Sequence, residues 1–312
     1  MIEKWKRAVI HLEGAADSVE ISEKIEKQRM LDEKLKNGEI SQEDLNTQLH
    51  ILSLGGTRDI RCRGTAIFLK NDSRYYLLTA RHVLYDEKLN NIFGIIFRVP
   101  SYDEVVLQKE DSSSDKNFLM NLGTGAPSTL PYIFSDPALD LAIISLRGPF
   151  YSQFAENLIK NGYIPISIDD IAEEPSQEGV EVFTIGFPGA MSGIGLRNLH
   201  PASAAWASNI YSLPVTTFGR VAMLHKELSN YWVDMSIYPG NSGGPIIENN
   251  KLVGIVSQQA SIPIDGMSTA NVRIPFGKII KAKYLLELIK IQEQKDNIIF
   301  SMFESSNLEF KL

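Results

Sequence analysis

A short glycine-rich stretch, Gly-Asn-Ser-Gly-Gly-Pro at residues 240–245, constrains this chain more than any other. It lies between two runs of apolar and β-branched residues, 231–237 and 252–257, which predict strands. The glycines permit a sharp turn and let another molecule come close to the backbone. The pattern therefore presents Ser242 either as an exposed nucleophile or as a residue of an ordinary hairpin turn, because Asn, Ser and Gly are also common turn residues.

A serine nucleophile needs a base and hydrogen-bond donors for the oxyanion that forms. The backbone amides of Gly240 and Ser242 can converge on one point and serve as those donors. Among the five histidines, His82 alone follows a β-branched and aromatic run that ends in a small residue, at 75–80. The end of a rigid strand holds a side chain in a fixed position, which a general base requires. The alternative is a half-buried structural histidine.

A carboxylate is needed to orient the imidazole, and Asp140 is the candidate. It stands directly before an apolar run at 141–146, which predicts a buried strand. A buried carboxylate is costly unless it accepts hydrogen bonds, and the imidazole N–H of His82 would supply one. Asp136, next to Pro137, is instead predicted to cap a turn.

Residues 79–82 (Thr-Ala-Arg-His), 140–143 (Asp-Leu-Ala-Ile) and 240–245 resemble, in this order, the three catalytic motifs of trypsin-like (chymotrypsin-fold) serine proteases. The order His, Asp, Ser differs from that of subtilisins and α/β-hydrolases. The resemblance implies an all-β core of two six-stranded Greek-key β-barrels. It also implies that His82 is the general base, that Asp140 orients it, and that Ser242 attacks peptide bonds. The Gly240 and Ser242 amides would form the oxyanion hole, and no cofactor or metal is implied.

The same resemblance suggests how substrate would bind. Ser257, Gln258 and Gln259 would form the strand edge that pairs with the substrate backbone, and Ser257 would also lie near Asp140. Ser236 would lie at the base of the side-chain pocket. Because a buried cation needs a partner and Ser236 is neutral, we expect a small or medium apolar side chain there rather than Lys or Arg. Gln259 replaces a glycine of many relatives and would narrow or close the pocket.

The residue before the serine departs from the secreted members of the family. Digestive relatives have an aspartate there, which pairs with a new N-terminus made by cleavage, whereas this chain has Asn241. A neutral amide cannot make that ion pair, so activation by N-terminal clipping is not expected. The motif is more similar to the HtrA-type branch. Only 37 residues (312 − 275) follow the last predicted barrel strand, too few for the PDZ domain that this branch usually carries.

The pattern near the N-terminus is helical rather than β. After a predicted strand within residues 1–16, residues 17–54 predict an inserted helical hairpin, and Ser41 with Asp44 forms a capping-box-like pair. We interpret this hairpin either as a solvated appendage or as an arm for a regulatory partner or self-association. The remaining chain is divided into a first β-barrel at 55–170, a second at 171–275, and a C-terminal helix and tail at 276–312.

Composition narrows the class of protein. A net charge of −7 argues against nucleic acid as a partner. Cys62 is the only cysteine, which excludes an intrachain disulfide and suits a reducing compartment. No apolar run approaches membrane-spanning length, and no apolar segment follows the charged start. We therefore expect a cytoplasmic protein that does not bind membranes.

Two function classes remain open at this point. In the first, the chain is an active intracellular endopeptidase, and whether a partner or the hairpin at 17–54 controls it by reshaping the Gly240 loop is left open. In the second, the protease fold is a binding or scaffold module that acts through the hairpin and has little activity. The first is favoured because a binding module does not need His82, Asp140 and Ser242 together.

Overall fold

The structure is a computed structural model of the chain, and it describes residues 1–17, 19–53, 58–86, 91–92, 94–98, 117–120, 131–146, 152–188, 214–264 and 267–309. Within these ranges the chain forms a β-rich first unit, a second β unit and a C-terminal helix. No helix among the described residues combines the length and the apolar character needed to cross a membrane.

The first unit is an antiparallel sheet with helices at its N-terminal side. Its elements, in chain order, are α1 (Ile2–Lys6), β1 (Val9–Asp17), α2 (Val19–Lys36), α3 (Gln42–Ser53), β2 (Arg58–Asn71), β3 (Arg74–Ala80), α4 (Arg81–Leu84), β4 (Tyr85–Asp86), β5 (Asn91–Ile92), β6 (Gly94–Arg98), β7 (Asn117–Met120), β8 (Tyr132–Phe134), β9 (Leu141–Ser145), α5 (Ser152–Lys160) and β10 (Ile166–Ser167). The strand order is β7-β6-β1-β2-β3-β9-β8, and β10 pairs in parallel with β2. Strands β4 and β5 form a separate two-stranded sheet.

The second unit is a closed antiparallel barrel. Its strands are β11 (Glu181–Gly186), β12 (Val215–Met223), β13 (Asn230–Asp234), β14 (Pro245–Glu248), β15 (Lys251–Ile264) and β16 (Met267–Lys281), followed by α6 (Ala282–Glu309). The strands close in the order β11-β12-β13-β16-β15-β14. This confirms the prediction of a six-stranded barrel for this part of the chain.

The first unit differs from the closed β-barrel that was predicted for residues 55–170. Its described residues form an eight-stranded open sheet in which β7 and β8 are the two edges. Closure requires the edge strands to pair with each other, and these two are short, with four and three residues, and stand at opposite ends of the strand order. Residues 104–108, which belong to the predicted first barrel at 55–170, lie outside the described residues.

One apolar cluster joins the two units. It contains Trp5 and Ile67 from the first unit, Phe187 and Ile255 from the second, and Leu285 from α6, all almost completely buried. Trp5 belongs to a short helix that precedes the first predicted strand, and its indole N–H donates to Asn250 Oδ1 at 3.0 Å. The shared core sets how the ends of the sheet strands face the barrel.

The N-terminal helices lie where a hairpin was predicted. Ser41 Oγ accepts from the Asp44 backbone N–H and Asp44 Oδ2 accepts from the Ser41 backbone N–H, both at 3.1 Å, which confirms the capping box. The Ser41 hydroxyl, which donates to Asp44 Oδ2 at 2.6 Å, and then the Ser41 backbone N–H hold the pKa of Asp44 below its usual value. Leu31 and Leu45 are buried, whereas the described side chains at 26–30 are exposed. At the other end of the chain, α6 begins at Ala282, so Ile279, predicted to lie on this helix, belongs to β16.

Candidate active site

Two paired strands bring His82 and Asp140 together. Strand β3 ends at Ala80, which pairs with Leu141 at the start of β9. His82 therefore follows one strand and Asp140 precedes its neighbour. His82 Nδ1 lies 3.0 and 2.9 Å from the two carboxylate oxygens of Asp140, and the His82 backbone N–H donates to Asp140 Oδ1 at 3.0 Å. A proton on Nδ1 would leave Nε2 as an acceptor on the other side of the ring.

Asp140 is held from several sides. Its carboxylate also accepts from Ser257 Oγ at 2.5 Å, and its backbone carbonyl accepts from the Arg81 N–H at 3.0 Å. Asp140 has φ of +49°, a conformation that costs roughly 1–2 kcal/mol for a residue with a side chain. The preceding turn is capped by Asp136 Oδ1, which accepts from the Ala138 N–H at 2.8 Å, as the sequence predicted. The hydrogen bonds offset the cost of burying the carboxylate.

Ser242 lies in the turn between β13 and β14. Gly240 and Gly243 in this turn have φ of +105° and +83°, which a residue with a side chain rarely adopts. The half-buried Ser242 lines the same cleft as His82, and its Oγ lies 3.3 Å from the Ser257 carbonyl oxygen. The glycines therefore allow the turn to present this hydroxyl to the cleft.

Thr65 of β2 holds this turn from the first unit. Its hydroxyl donates to the Gly240 carbonyl at 2.7 Å and accepts from the Phe187 N–H at 3.2 Å. Its backbone N–H donates to the Ser242 carbonyl at 2.8 Å, and its carbonyl accepts from Thr79 Oγ1 at 2.7 Å. Both threonines are fully buried. Thr65 was not predicted as a functional residue, because its only signal in the sequence is a hydroxyl inside an apolar strand.

The backbone amides predicted to bind an oxyanion are free in the described part of the chain. The N–H groups of Asn241, Gly243 and Gly244 donate to carbonyls of Tyr238, Val256 and Asn241 at 2.7 to 2.9 Å. No acceptor among the described residues lies within hydrogen-bond reach of the Gly240 and Ser242 N–H groups. These two amides are thus available to a ligand beside the Ser242 hydroxyl.

The cleft has a volume of about 790 Å³ and extends beyond His82 and Ser242. Of the residues predicted to bind substrate, its lining includes Ser257, Gln258 and Gln259 but not Ser236. Ser236 is half-buried, and its neighbour Ile237 lines the cleft instead. The Gln259 side chain is hydrogen-bonded to β16, because its Nε2 donates to the Ile274 carbonyl at 3.2 Å.

Cations outnumber anions in this cleft. Among the described residues, Arg81, Arg273 and Lys278 line it, whereas Asp140 is its only acidic lining residue. Arg81 is engaged by its own unit, since its guanidinium donates to the Ser135 carbonyl at 2.9 Å and lies 4.8 Å from the Tyr85 ring centre. Among the described residues, no group of three His, Cys, Asp or Glu side chains is placed to hold a metal ion.

Comparison with known proteins agrees with these motifs. A family model described as a trypsin-like peptidase domain matches residues 64–255, which is more than half of the chain and includes His82, Asp140 and Ser242. The serine protease PepD of Mycobacterium tuberculosis is 28% identical over 156 residues. These residues are 50% of this chain but 29% of PepD, so the chain spans less than a third of that relative's length.

A crystal structure of Deg5 aligns over 92% of this chain and 89% of its own, with a TM-score of 0.46 and 11% sequence identity. A score below 0.5 supports no conclusion about function. The family match confirms the resemblance seen in the sequence. The chain therefore belongs to the trypsin-like peptidase family.

Proposed function

We propose that this chain is a serine endopeptidase that uses Ser242, His82 and Asp140 as a catalytic triad and cuts peptide bonds of protein or peptide substrates. The observation that carries the proposal is the hydrogen-bonded pair of His82 Nδ1 and Asp140, at 2.9 Å, in the cleft that Ser242 also lines. A carboxylate that orients an imidazole, in a cleft that a serine hydroxyl also lines, is the arrangement expected for covalent acyl transfer.

In the proposed reaction, His82 Nε2 takes the proton from Ser242 Oγ as this oxygen attacks the substrate carbonyl carbon. Asp140 stabilises the imidazolium that forms, and the free amides of Gly240 and Ser242 bind the oxyanion. The imidazolium then gives its proton to the leaving amine, and a water molecule hydrolyses the acyl-enzyme with His82 as the base. Before attack, the Ser242 hydroxyl leaves the Ser257 carbonyl, a long hydrogen bond of 3.3 Å that costs little to break.

We also propose that the enzyme needs no N-terminal clipping. Asn241 is completely buried, and its side-chain amide has no hydrogen-bond partner among the described residues. A neutral amide offers no charge that would draw a new N-terminal ammonium group into the core. Control by a partner or by the hairpin at 17–54, and a cytoplasmic location, stay predictions of the sequence.

Active-site labelling tests the proposed function directly. Purified protein is treated with a fluorophosphonate probe, which reacts with activated serines, and labelling is followed by fluorescence in a gel. We expect the wild type to be labelled and both Ser242→Ala and His82→Ala to lose labelling. Ser301→Ala, the same substitution at an exposed position of α6, is the matched control and should keep full labelling.

Circular dichroism of each variant shows whether loss of labelling reflects loss of structure. Full labelling of folded Ser242→Ala would contradict the assignment of the nucleophile. Absence of labelling in folded wild-type protein would favour the scaffold module that acts through the hairpin at 17–54.

A further inference from the structure

The charge of the cleft is opposite to the charge of the protein. The chain has a net charge of −7, yet Lys278 and Arg273 line the cleft. Asp140, the only acidic lining residue in the described part of the chain, is already bonded to His82 and Ser257. A cleft of one sign concentrates ligands of the opposite sign. The cleft therefore favours anionic ligands, although the rest of the molecule repels them.

Strand pairing arranges these cations in a row that leads away from the serine. Ser257, whose carbonyl contacts Ser242 Oγ, is followed on β15 by Gln258, which pairs with Lys278, and three residues later by Ser261, which pairs with Arg273. At about 3.3 Å per residue, these two positions lie about 3 and 13 Å along the strand from Ser257. This distance corresponds to roughly one to four residues of an extended peptide.

The described residues hold neither of these two side chains. Neither Lys278 nor Arg273 forms an ion pair or a side-chain hydrogen bond with a described residue. Lys281, three residues after Lys278 on the same strand, is fully buried and bonds to Glu174 and to the His225 carbonyl. Half-buried Lys278 and exposed Arg273 are thus available to a ligand, whereas Lys281 is a structural cation.

We infer that the cleft selects acidic peptides: Asp or Glu side chains within about four residues of the cleaved bond, on one side of it, are received by Lys278 and Arg273. This inference rests on the proposed endopeptidase function and adds its substrate class. Solvent-accessible ion pairs are weak, so each should contribute about two- to five-fold in kcat/KM, and both together about 5- to 25-fold. The preference for the residue at the cleaved bond itself is a separate property. For that residue, the neutral Ser236 led us to expect an apolar side chain.

Matched peptides test this inference. A digest of β-casein, an unfolded protein, supplies a cleaved sequence, from which fluorescence-quenched peptides are made with Glu, Gln or Lys two to four residues before the cleaved bond and, in a second series, after it. We expect kcat/KM to decrease from the Glu to the Gln to the Lys peptide in one of the two series. In that series, the ratio of kcat/KM for Glu to that for Gln should be about 5 to 25. The ratio should fall towards 1 in 0.5 M salt, because screening weakens exposed pairs.

Charge-neutral variants identify the residues responsible. Lys278→Gln and Arg273→Gln should each lower the ratio of Glu to Gln two- to five-fold, and the double variant should bring it close to 1. Lys226→Gln removes one charge from an exposed side chain that does not line the cleft and should leave the ratio unchanged. Equal cleavage of Glu and Gln peptides in both series, or equal effects of all three variants, would overturn the inference.

Binding to an inactive variant separates this inference from the proposed function. The Ser242→Ala variant is titrated against the same peptides carrying a fluorophore, and anisotropy gives their dissociation constants. If all peptides are cleaved and bound without regard to charge, the proposed peptidase activity would be supported and the preference for acidic peptides overturned. If Glu peptides bind more tightly than Gln peptides but the wild type cleaves no peptide, the cleft's preference for acidic peptides would be supported. The proposed peptidase activity would then be contradicted. Neither cleavage nor preferential binding would contradict both.

Discussion

The two units contribute to the active site in different ways. The open sheet supplies His82 and Asp140 from the adjoining ends of two strands that pair directly with each other. The closed barrel supplies Ser242 from a turn whose conformation depends on two glycines with positive φ and on hydrogen bonds from Thr65 of the other unit. The proposed base and the residue that orients it are therefore placed mainly by one unit, with one hydrogen bond from Ser257 of the barrel. The proposed nucleophile is placed by contact between the units.

This difference in placement predicts how the site should respond to substitutions in each unit. A change at Asp140 should affect the chemistry and leave the barrel intact, because β3 and β9 of one sheet place the His82–Asp140 pair and the barrel contributes one hydrogen bond to it, from Ser257. A change at the serine turn or at Thr65 should affect stability and chemistry together, because the same contacts join the units and position Ser242.

Asp140→Asn should leave the fold intact and lower kcat for peptide hydrolysis by about 10⁴-fold, since the amide no longer holds the imidazole in the correct tautomer. Cleavage of a fluorescent peptide, with thermal unfolding as a check on folding, measures both effects. Asp136→Asn is a matched control, because the same substitution at the turn cap keeps an acceptor oxygen for Ala138 and should preserve activity. A loss of less than ten-fold for Asp140→Asn would contradict the proposed triad.

Gly243→Ala should lower the free energy of unfolding by about 3 kcal/mol or more and abolish labelling of Ser242. The added Cβ would overlap the Thr65 carbonyl and Thr79 Oγ1, a steric cost that comes on top of the roughly 1–2 kcal/mol for positive φ. Gly179→Ala is the control, because Gly179 has a similar φ of +81° and open space at its Cβ position. Chemical denaturation compares the two, and equal losses would show that contact between the units does not constrain the turn.

Thr65→Val should lower the free energy of unfolding by about 1–3 kcal/mol, because the buried Gly240 carbonyl and Phe187 N–H lose their partner. The rate of fluorophosphonate labelling should fall as well, since the turn that carries Ser242 is less well held. Thr65→Ser keeps the hydroxyl and should restore the labelling rate even where it leaves a small cavity. A labelling rate that follows side-chain volume rather than the hydroxyl would contradict this positioning role.

High pH should weaken both units, through one buried tyrosine in each. Burial, and then the nearby Asp296, raises the pKa of Tyr76 in the sheet to about 12, and burial raises the pKa of Tyr231 in the barrel well above its usual value. Because the folded state holds these protons more tightly, stability should be full below pH 10 and should fall as the pH rises through the folded pKa values.

Replacing each tyrosine by phenylalanine separates the two contributions. Chemical denaturation between pH 9 and 12 should show a shallower loss of stability for Tyr76→Phe within this range, since the folded pKa of Tyr76 lies at its upper end. Tyr231→Phe should likewise make the loss of stability with rising pH shallower, from pH 10 upwards. An unchanged pH slope in both variants would show that neither phenol titrates on unfolding.

Much of the site could be predicted because its parts carry local signals. An imidazole after a strand, a carboxylate before an apolar strand and a serine among glycines are each visible in a short window of sequence, and their order identified the family. The turn cap at Asp136 and the capping box at Ser41 and Asp44 were visible for the same reason, since their hydrogen bonds span two or three residues.

The features that escaped prediction depend on residues far apart in the chain. Thr65 meets Gly240 across 175 residues, and Lys278 lines the cleft because β16 pairs with β15 at Gln258. Whether the sheet closes, and whether Ser236 or Ile237 faces the cleft, likewise depend on strand pairing and side-chain packing over the whole chain.

Residue order alone thus specified the chemical groups, the strands that carry them and the family. The folded chain specified which cations share the cleft, which hydroxyl holds the serine turn and that the first unit is an open sheet in its described residues. The physical reason is that hydrogen-bond caps and strand alternation act over a few residues, whereas register, closure and packing follow from the free energy of the whole fold.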